Sequence, residues 1–240
     1  MLRLGKPRGN AIDGALLEDM ARTLGEAASD RGIQGVLLAS AHPKLFCPGL
    51  DLVSLSSMDR GQMERFMTLF HEVLLALFSF KKPMVAALSG HAVAGGLILA
   101  MTADWRVLAR GAQVGLNEVK IGLPLPFAVA CLLRGSVAPP SLAAVALLGR
   151  NFSDEEALLL GVVHELLPRE GFEEGCLARL QEFVDKDPLA FSETKRLLRS
   201  GLLEEMKAGE AAHLPTFLDA WFSPATKERI RQILDSLGRG

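Results

Sequence analysis

The sequence predicts an α/β fold whose sheet is covered by helices and is followed by a mainly helical C-terminal part. Up to about residue 139, short apolar runs alternate with amphipathic segments of helical period, which is typical of strands buried on both faces. Beyond that point one predicted helix follows another. With 240 residues and 49% hydrophobic content, the chain is long enough to bury the core that such a fold needs.

The first half of the chain is predicted to hold three strands and three helices. The strands are the short apolar runs GVLLAS (35–40), MVAALSG (84–90) and WRVLAR (105–110). The helices are the segments 14–29, 61–80 and 95–105. Between the first strand and the second helix, HPKLFCPGLDL (42–52) is dense in proline and glycine and is predicted to be a loop.

The C-terminal third is predicted to be helical. Its helices are the segments 141–149, 153–161, 173–184, 193–206 and 225–237. Ser153 precedes Glu156 by three residues, which is the spacing of a capping box at a helix start. We therefore divide the chain into a core of residues 1–185 and a helical C-terminal region of residues 186–240.

Charge and cysteine content narrow the class of protein. The formal net charge is −2, so the chain lacks the basic excess of a nucleic-acid-binding protein. Cys47, Cys131 and Cys176 are odd in number and far apart, which argues against a disulfide framework or a zinc site. The five histidines are not at metal-ligand spacings. We therefore expect no metal, no nucleic-acid partner and a reducing compartment, the cytoplasm.

The uncharged stretch from Pro83 to Ala103 is long enough to raise the alternative of a membrane span. Ser89, Gly90 and His91 interrupt its middle, however, so a buried strand followed by a buried helix fits better. The first ten residues, MLRLGKPRGN, contain no apolar core of a signal peptide. We expect no membrane partner.

Two glycine-containing loops follow the first two predicted strands and form a candidate site. Ligands of open α/β folds collect at the carboxyl ends of strands, and free N–H groups at a helix N-terminus attract negative charge. The Gly95 N–H and one N–H of the turn 49–51 can therefore converge on one oxygen as an oxyanion hole. Taken alone, the Gly95-Gly96 pair more often reflects close packing than catalysis. The chain has no GxGxxG or Walker A motif, so nucleotide sites of those types are not supported.

Glu118 is a second candidate because it is a lone acid in the apolar segment VGLNEVKIGLPLPF (114–127). A carboxyl group in apolar surroundings can have a raised pKa and transfer protons. The alternative is a solvated glutamate, or one paired with Lys120. Local sequence alone does not decide between these interpretations.

Four motifs together carry a family resemblance. They are NAI (10–12), FCPGLDL (46–52), GHAVAGG (90–96) and GLNEVKIGLPLPF (115–127), in this order and spacing. The set resembles the crotonase superfamily, the enoyl-CoA hydratases and isomerases, over nearly the whole chain. The resemblance implies a ClpP/crotonase-like spiral of ββα units with a helical C-terminal region, an acyl-CoA substrate and a homotrimer or dimer of trimers. It implies no cofactor beyond the coenzyme A of the substrate. The first strand of the family is expected to be short or absent here.

The resemblance also assigns roles to single residues. It places the oxyanion donors on the Leu50 and Gly95 N–H groups, with substrate-contacting positions beside them at Gly49, Asp51 and Gly96. Hydratases of the family carry two glutamates, of which one corresponds to Glu118. The position of the other is occupied by Ile98, three residues after the oxyanion glycine. Water activation is therefore disfavoured.

A single carboxyl group is similar to the arrangement in Δ3,Δ2-enoyl-CoA isomerases, which shift a double bond by proton transfer. Phe127 and the LPLPF segment, which replaces a glycine-rich segment of the hydratases, are expected to shape the acyl pocket. The alternatives left open are a hydratase, decarboxylase or thioester hydrolase on the same fold, and an acyl-CoA-binding protein without activity.

Contacts with coenzyme A are expected at two places. The resemblance places the adenine near Lys44, Leu45 and Phe46. It also makes Lys227 and Arg231 of the last helix candidates for the phosphates. The alternative for each surface lysine is simple solvation.

Overall fold

The computed structural model describes residues 1–7 and 9–237 and places the strands of that part in two parallel sheets. In chain order the strands are β1 (Leu2–Leu4), β2 (Val36–Ser40), β3 (Leu45–Cys47), β4 (Met84–Leu88), β5 (His91–Val93), β6 (Trp105–Ala109), β7 (Val114–Gly115) and β8 (Glu165–Leu167). The larger sheet has the order β1-β2-β4-β6-β8, and the smaller has the order β3-β5-β7.

The helices cover both sheets. In chain order they are α1 (Gly14–Ser29), α2 (Leu52–Leu55), α3 (Arg60–Phe78), α4 (Gly95–Met101), α5 (Phe127–Ser136), α6 (Leu142–Leu147), α7 (Asp154–Leu159), α8 (Phe172–Val184), α9 (Pro188–Phe222) and α10 (Pro224–Leu237). Two 3-10 helices, Glu118–Ile121 and Pro139–Ser141, complete the described elements. None of the helices in residues 1–7 and 9–237 is long and apolar enough to span a bilayer.

The chain alternates between the two sheets in three consecutive units. Each of β2, β4 and β6 in the larger sheet turns directly into β3, β5 or β7 of the smaller sheet, and a helix follows. Every residue of β2 and β4 is buried, as expected for parallel strands covered on both faces. The predicted α/β spiral of ββα units is therefore confirmed.

The prediction of an unbroken loop over 42–52 is wrong, because Leu45–Cys47 forms β3 and pairs with β5. A three-residue strand has no periodicity that a sequence can reveal, and its pairing partner lies far along the chain. Asn10, from the NAI motif, helps to hold this corner. Its buried amide donates to Ser40 Oγ and to the Phe46 carbonyl, both at 2.9 Å.

The C-terminal helices differ from their prediction mainly in length. The predicted segment 193–206 is part of α9, whose 35 residues start after the capping side chain of Asp187. The capping box of Ser153 and Glu156 is confirmed, since each side chain accepts from the other's backbone N–H. Trp221 of α9 is fully buried in the same apolar cluster as β4. The division at residues 185 and 186 stays a prediction.

Candidate active site

The turn after β3 presents the Leu50 N–H. Leu50 forms a parallel bridge with Ile12, in which the Ile12 N–H donates to the Gly49 carbonyl at 2.8 Å and the Asp51 N–H donates to the Ile12 carbonyl at 2.9 Å. On the Leu50 strand, these two hydrogen bonds use the groups that flank Leu50, namely the Gly49 carbonyl and the Asp51 N–H. The N–H of Leu50 itself therefore points to the opposite side of the strand. The Leu50 N–H is therefore directed away from Ile12.

The turn after β5 presents the Gly95 N–H. Ala94 has φ +49° and ψ −124°, a conformation that alanine rarely adopts. Its own N–H donates to the Gly115 carbonyl at 2.7 Å, which fixes the turn. Gly95 is the first residue of α4, so its N–H has no acceptor within the helix. A strained residue beside a free N–H is typical of a functional turn.

The two turns lie against each other. A Cβ atom on Gly49, whose φ is +101°, would lie 3.2 Å from the Gly95 nitrogen and 2.9 Å from Ala94 Cβ. A Cβ atom on Gly95 would lie 3.4 Å from Gly49 Cα. Glycine is thus required at position 49 both for the backbone angle and for this approach. The structure brings together the two turns that carry the predicted donors.

The two glycines of the pair serve different purposes. Gly95 lines a cavity, whereas a Cβ atom on Gly96 would lie 2.2 Å from the Cys47 carbonyl oxygen. Gly96 therefore allows α4 to pack against β3 and does not reach the cavity. Close packing thus explains Gly96, whereas Gly95 is placed where the predicted oxyanion donor is expected.

The cavity beside Gly95 has a volume of about 180 Å³. Most of its wall is apolar and comes from helices that are distant in sequence. These residues include Met67, Phe70, Ile98, Phe217 and Ile233. The sequence did not single out the contributions of α3, α9 and α10, because an apolar residue on a cavity wall has the same helical periodicity as one in the core.

Glu118 faces this cavity from the 3-10 helix that follows β7. The side chain is buried, and its Oε2 atom has no hydrogen-bond partner among the described residues. Burial raises the pKa of Glu118 from 4.5 to about 7. Lys120 is exposed and forms no ion pair with it within residues 1–7 and 9–237. A carboxyl group with a pKa near neutrality can both remove and return a proton.

Ile98 lies on the wall of the same cavity and is 2% exposed. Among the lining residues, all within the described part of the chain, Glu118 is the single acid. The amide of Asn117 is the other polar side chain there, and Asn117 is not among the site residues predicted from the sequence. The cavity thus contains one proton-transfer group in largely apolar surroundings.

Three further predicted substrate contacts do not line this cavity either. Phe46 is fully buried in the core, and Asp51 caps α2 by accepting from the Val53 and Ser54 N–H groups. Phe127 packs against α9, although its neighbour Pro126 lines the cavity. The reason in each case is the surrounding packing, which residue type and order do not reveal.

The basic candidates for coenzyme A contacts are also separate from the cavity. Lys44 lines an open cleft at the corner between the two sheets. Lys227 lies over the Phe222 ring at 4.6 Å. Arg231 pairs with Glu228 at 2.7 Å. The structure therefore does not bring these three side chains into one site with Glu118.

Comparisons with known proteins identify the family of this chain. The sequence profile of the family described as enoyl-CoA hydratase/isomerase matches residues 1–228. The chain therefore belongs to the enoyl-CoA hydratase/isomerase family, and it is an enzyme of that family whose predicted crotonase fold is confirmed.

Individual relatives include both isomerases and hydratases. Human enoyl-CoA delta isomerase 1, mitochondrial, is 24% identical over 99% of this chain and 79% of the relative. The carnitinyl-CoA dehydratase of Escherichia coli is 28% identical over 88% of this chain and 79% of the relative.

Solved structures show the same range. The crystal structure of human mitochondrial delta3-delta2-enoyl-CoA isomerase superimposes with a TM-score of 0.93 at 24% identity, covering 98% of this chain and 92% of the other. An enoyl-CoA hydratase from Mycobacterium marinum gives 0.82 at 26% identity, covering 90% and 93%. Within the family, the reaction has to be argued from the site.

Proposed function

We propose that the protein is a Δ3,Δ2-enoyl-CoA isomerase. The observation that carries this proposal is the buried carboxyl group of Glu118 in an apolar cavity that Gly95 also lines. It is the one acid among the lining residues, and its Oε2 has no hydrogen-bond partner in the described part of the chain. Isomerisation needs one group that moves a proton and one site that holds an enolate oxygen. The Leu50 and Gly95 N–H groups are the proposed enolate site.

The reaction then proceeds in two proton transfers. Ionised Glu118 removes a proton from C2 of a 3-enoyl-CoA, and the electron pair moves toward the thioester oxygen to form a dienolate. The Leu50 and Gly95 N–H groups stabilise that oxygen, and one such donor is worth roughly 3 kcal/mol. Protonated Glu118 then delivers its proton to C4, which leaves a 2-enoyl-CoA and regenerates the carboxylate.

Hydration is the competing reaction, and Ile98 disfavours it. A hydratase has to orient a water molecule, and the aliphatic Ile98 side chain offers it no hydrogen bond. Within the cavity, the Asn117 amide favours hydration, because it adds a polar group to the wall. An amide can hold a water molecule but does not remove its proton at neutral pH.

The experiment that tests the proposal supplies trans-3-hexenoyl-CoA and follows the conjugated 2-enoyl thioester by its ultraviolet absorbance. Chromatography of the products from trans-2-hexenoyl-CoA serves as the second arm. Appearance of the conjugated product supports isomerisation. Accumulation of a 3-hydroxyacyl-CoA at a higher rate would show that the physiological reaction is hydration, and absence of turnover with tight binding would show a binding protein.

The enolate site is tested separately at Gly49. Gly49→Ala places a Cβ atom against Ala94 and imposes an unfavourable φ, so the two turns must move apart. We expect kcat to fall on the order of 10²-fold, the effect of misplacing one oxyanion donor. Gly111→Ala is the matched control, since Gly111 also has a positive φ of +76° but no neighbour within 4 Å. Equal activity in the two variants would argue against the enolate site.

Coenzyme A binding, assembly and compartment are parts of the same proposal. The support for a homotrimer or dimer of trimers is a set of exposed leucines on α7 and at the end of α6, Leu147, Leu148, Leu158 and Leu159. Lys44, Lys227 and Arg231 are proposed to contact the coenzyme A moiety. Three buried free thiols fit the proposed cytoplasmic location. Sedimentation velocity of the wild type and of Leu159→Glu tests the assembly.

A further inference from the structure

The first turn of α5 rests on α9, directly behind the wall of the Glu118 cavity. Pro126 lines that cavity, and the next residue, Phe127, begins α5. The Phe127 ring stacks on His213 of α9, with ring centroids 4.4 Å apart and ring planes inclined by 4°. Phe217, one turn further along α9, lines the same cavity. α9 therefore supports the cavity wall at Pro126 indirectly, through His213, which contacts Phe127 and does not line the cavity.

Gly209 makes this contact possible. A Cβ atom at position 209 would lie 2.0 Å from Cε1 and 2.4 Å from Cδ1 of Phe127, which is far inside contact distance. Glycine in a helix interior costs about 1 kcal/mol relative to alanine, so a packing reason is expected for it. The ring has little freedom to avoid an added methyl group, because His213 covers one of its faces. A side chain at 209 must therefore displace Phe127, and with it Pro126.

Glu210, the residue after Gly209, contacts α3, which forms a second wall of the cavity. The Glu210 carboxylate lies 3.3 Å from Nδ1 of His71 on α3, and both side chains are almost completely buried. Phe70, the residue before His71, lines the cavity. Consecutive residues of α9 thus contact both the start of α5 and the middle of α3.

We propose that Gly209 is a positioning residue that sets the width of the acyl cavity, and thereby which acyl chains fit, without touching the substrate. The inference rests on the proposed function in so far as it takes the ligand to be an acyl-CoA ester. Protein interiors are close-packed and transmit a displacement to their neighbours. A change of one methylene in an apolar pocket alters discrimination by roughly 10–200-fold.

The test compares Gly209→Ala with Gly201→Ala. Gly201 lies in the same helix, but a Cβ atom there has no neighbour within 4 Å. Calorimetric titration with hexanoyl-CoA and dodecanoyl-CoA measures binding without any reaction. For Gly209→Ala we expect about tenfold weaker binding of dodecanoyl-CoA and hexanoyl-CoA binding within about twofold of wild type. The matching kinetic result is a higher KM for trans-3-dodecenoyl-CoA and an unchanged kcat for trans-3-hexenoyl-CoA.

A second substitution distinguishes this role from general destabilisation. Phe127→Val removes the ring atoms that the added methyl group would meet, so in the Gly209→Ala background it is expected to restore dodecanoyl-CoA binding. If Gly209→Ala does not fold, Phe127→Val alone is expected to strengthen dodecanoyl-CoA binding relative to hexanoyl-CoA binding.

Equal ratios of dodecanoyl-CoA to hexanoyl-CoA affinity in Gly209→Ala and Gly201→Ala would overturn the inference, as would an unchanged ratio in Phe127→Val. Failure of the proposed function has a different signature. In that case the wild type binds the saturated esters but does not isomerise 3-enoyl-CoA, while the affinity ratio still decides the role of Gly209.

Discussion

Two largely buried carboxyl groups of this protein lie in opposite environments. Asp104, between α4 and β6, accepts from the Met84 N–H and from the Lys195 ammonium group at 2.8 Å each. Its other oxygen accepts from Arg199 at 2.8 Å. Glu118 is similarly buried, yet its Oε2 has no hydrogen-bond partner among the described residues. Burial alone therefore does not distinguish a structural acid from a reactive one.

The two environments differ in the partners that they offer to the carboxyl oxygens. A carboxyl group that accepts charge-assisted hydrogen bonds from several elements is held in place by them. Such a group ties elements together, and Asp104 joins the start of β4 to α9. Glu118 Oε2 has no such partner among the described residues, and burial raises the pKa of Glu118 to about 7. Glu118 is therefore able to change protonation during a reaction at neutral pH.

The largest expected effect comes from removing the proton-transfer group of Glu118. Glu118→Gln is expected to lower kcat for a 3-enoyl-CoA by ~10²–10⁴-fold, because glutamine keeps the shape but cannot transfer the proton. Acyl-CoA binding should be retained, and so should the unfolding midpoint near pH 4.5, where the Glu118 carboxyl group of the folded wild type is protonated. Glu205→Gln, which changes an exposed acid paired with Arg134, is the control and should keep full activity. Retention of wild-type kcat by Glu118→Gln would falsify the assigned role.

The next effect is on stability and belongs to Asp104. Asp104→Asn leaves the buried Lys195 and Arg199 cations without their counter-charge, which is expected to cost about 3–5 kcal/mol of unfolding free energy. Urea unfolding measures this loss. The folded fraction should keep its kcat, because Asp104 does not line the Glu118 cavity. A selective loss of kcat in a fully folded Asp104→Asn variant would contradict the distinction between the two acids.

The stability contribution of Glu118 has the opposite sign and depends on pH. Its pKa is raised from 4.5 to about 7 in the folded protein, so the folded state favours the neutral form. As pH rises from 4.5 to 7, the unfolded chain loses this proton first and stability falls. Above pH 7 the loss amounts to roughly 3 kcal/mol. Glu118→Gln is therefore expected to unfold at higher urea concentration than wild type at pH 8, and the two should converge near pH 4.5.

The same pKa sets the pH dependence of the reaction. Since the base has to be ionised, kcat/KM for a 3-enoyl-CoA is expected to rise with pH and to reach half its maximum near pH 7. A rate that is constant between pH 5 and pH 9 would be incompatible with Glu118 as the base.

The smallest expected effect comes from removing one of the two cations that contact Asp104. Lys195→Gln removes one of its partners but leaves Arg199 and the Met84 N–H in place. We expect a loss of about 1–3 kcal/mol, measured by urea unfolding. Arg196→Gln is the matched control on the same helix, because its pair with Glu193 is exposed and is worth about 0–1 kcal/mol. Equal losses of unfolding free energy in both variants would mean that the buried ion pair of Lys195 stabilises the protein no more than the exposed pair of Arg196.

The sequence predicted several of the longer elements in the first half of the chain well. Helices such as α1 and α3 have an apolar face, which is a local signal, and β2 and β4 are apolar runs of strand length. The short strands β3, β5 and β7 were not predicted, because each is at most three residues long and depends on a distant partner. Phe46 and Phe127 show the same limit for the site, since both were expected at the substrate and both are packed elsewhere.

The sequence by itself determined the chemical inventory of the site: a lone acid in an apolar segment, a glycine pair at a helix start, and isoleucine at position 98. These features depend on residue type and order, which the chain states directly. Only the tertiary structure decided that Gly49 touches the Gly95 turn and that Glu118 Oε2 has no hydrogen-bond partner within residues 1–7 and 9–237. It also decided that α9 supports the cavity wall through Gly209. Such contacts join residues far apart in sequence, so they exist only once the elements have packed.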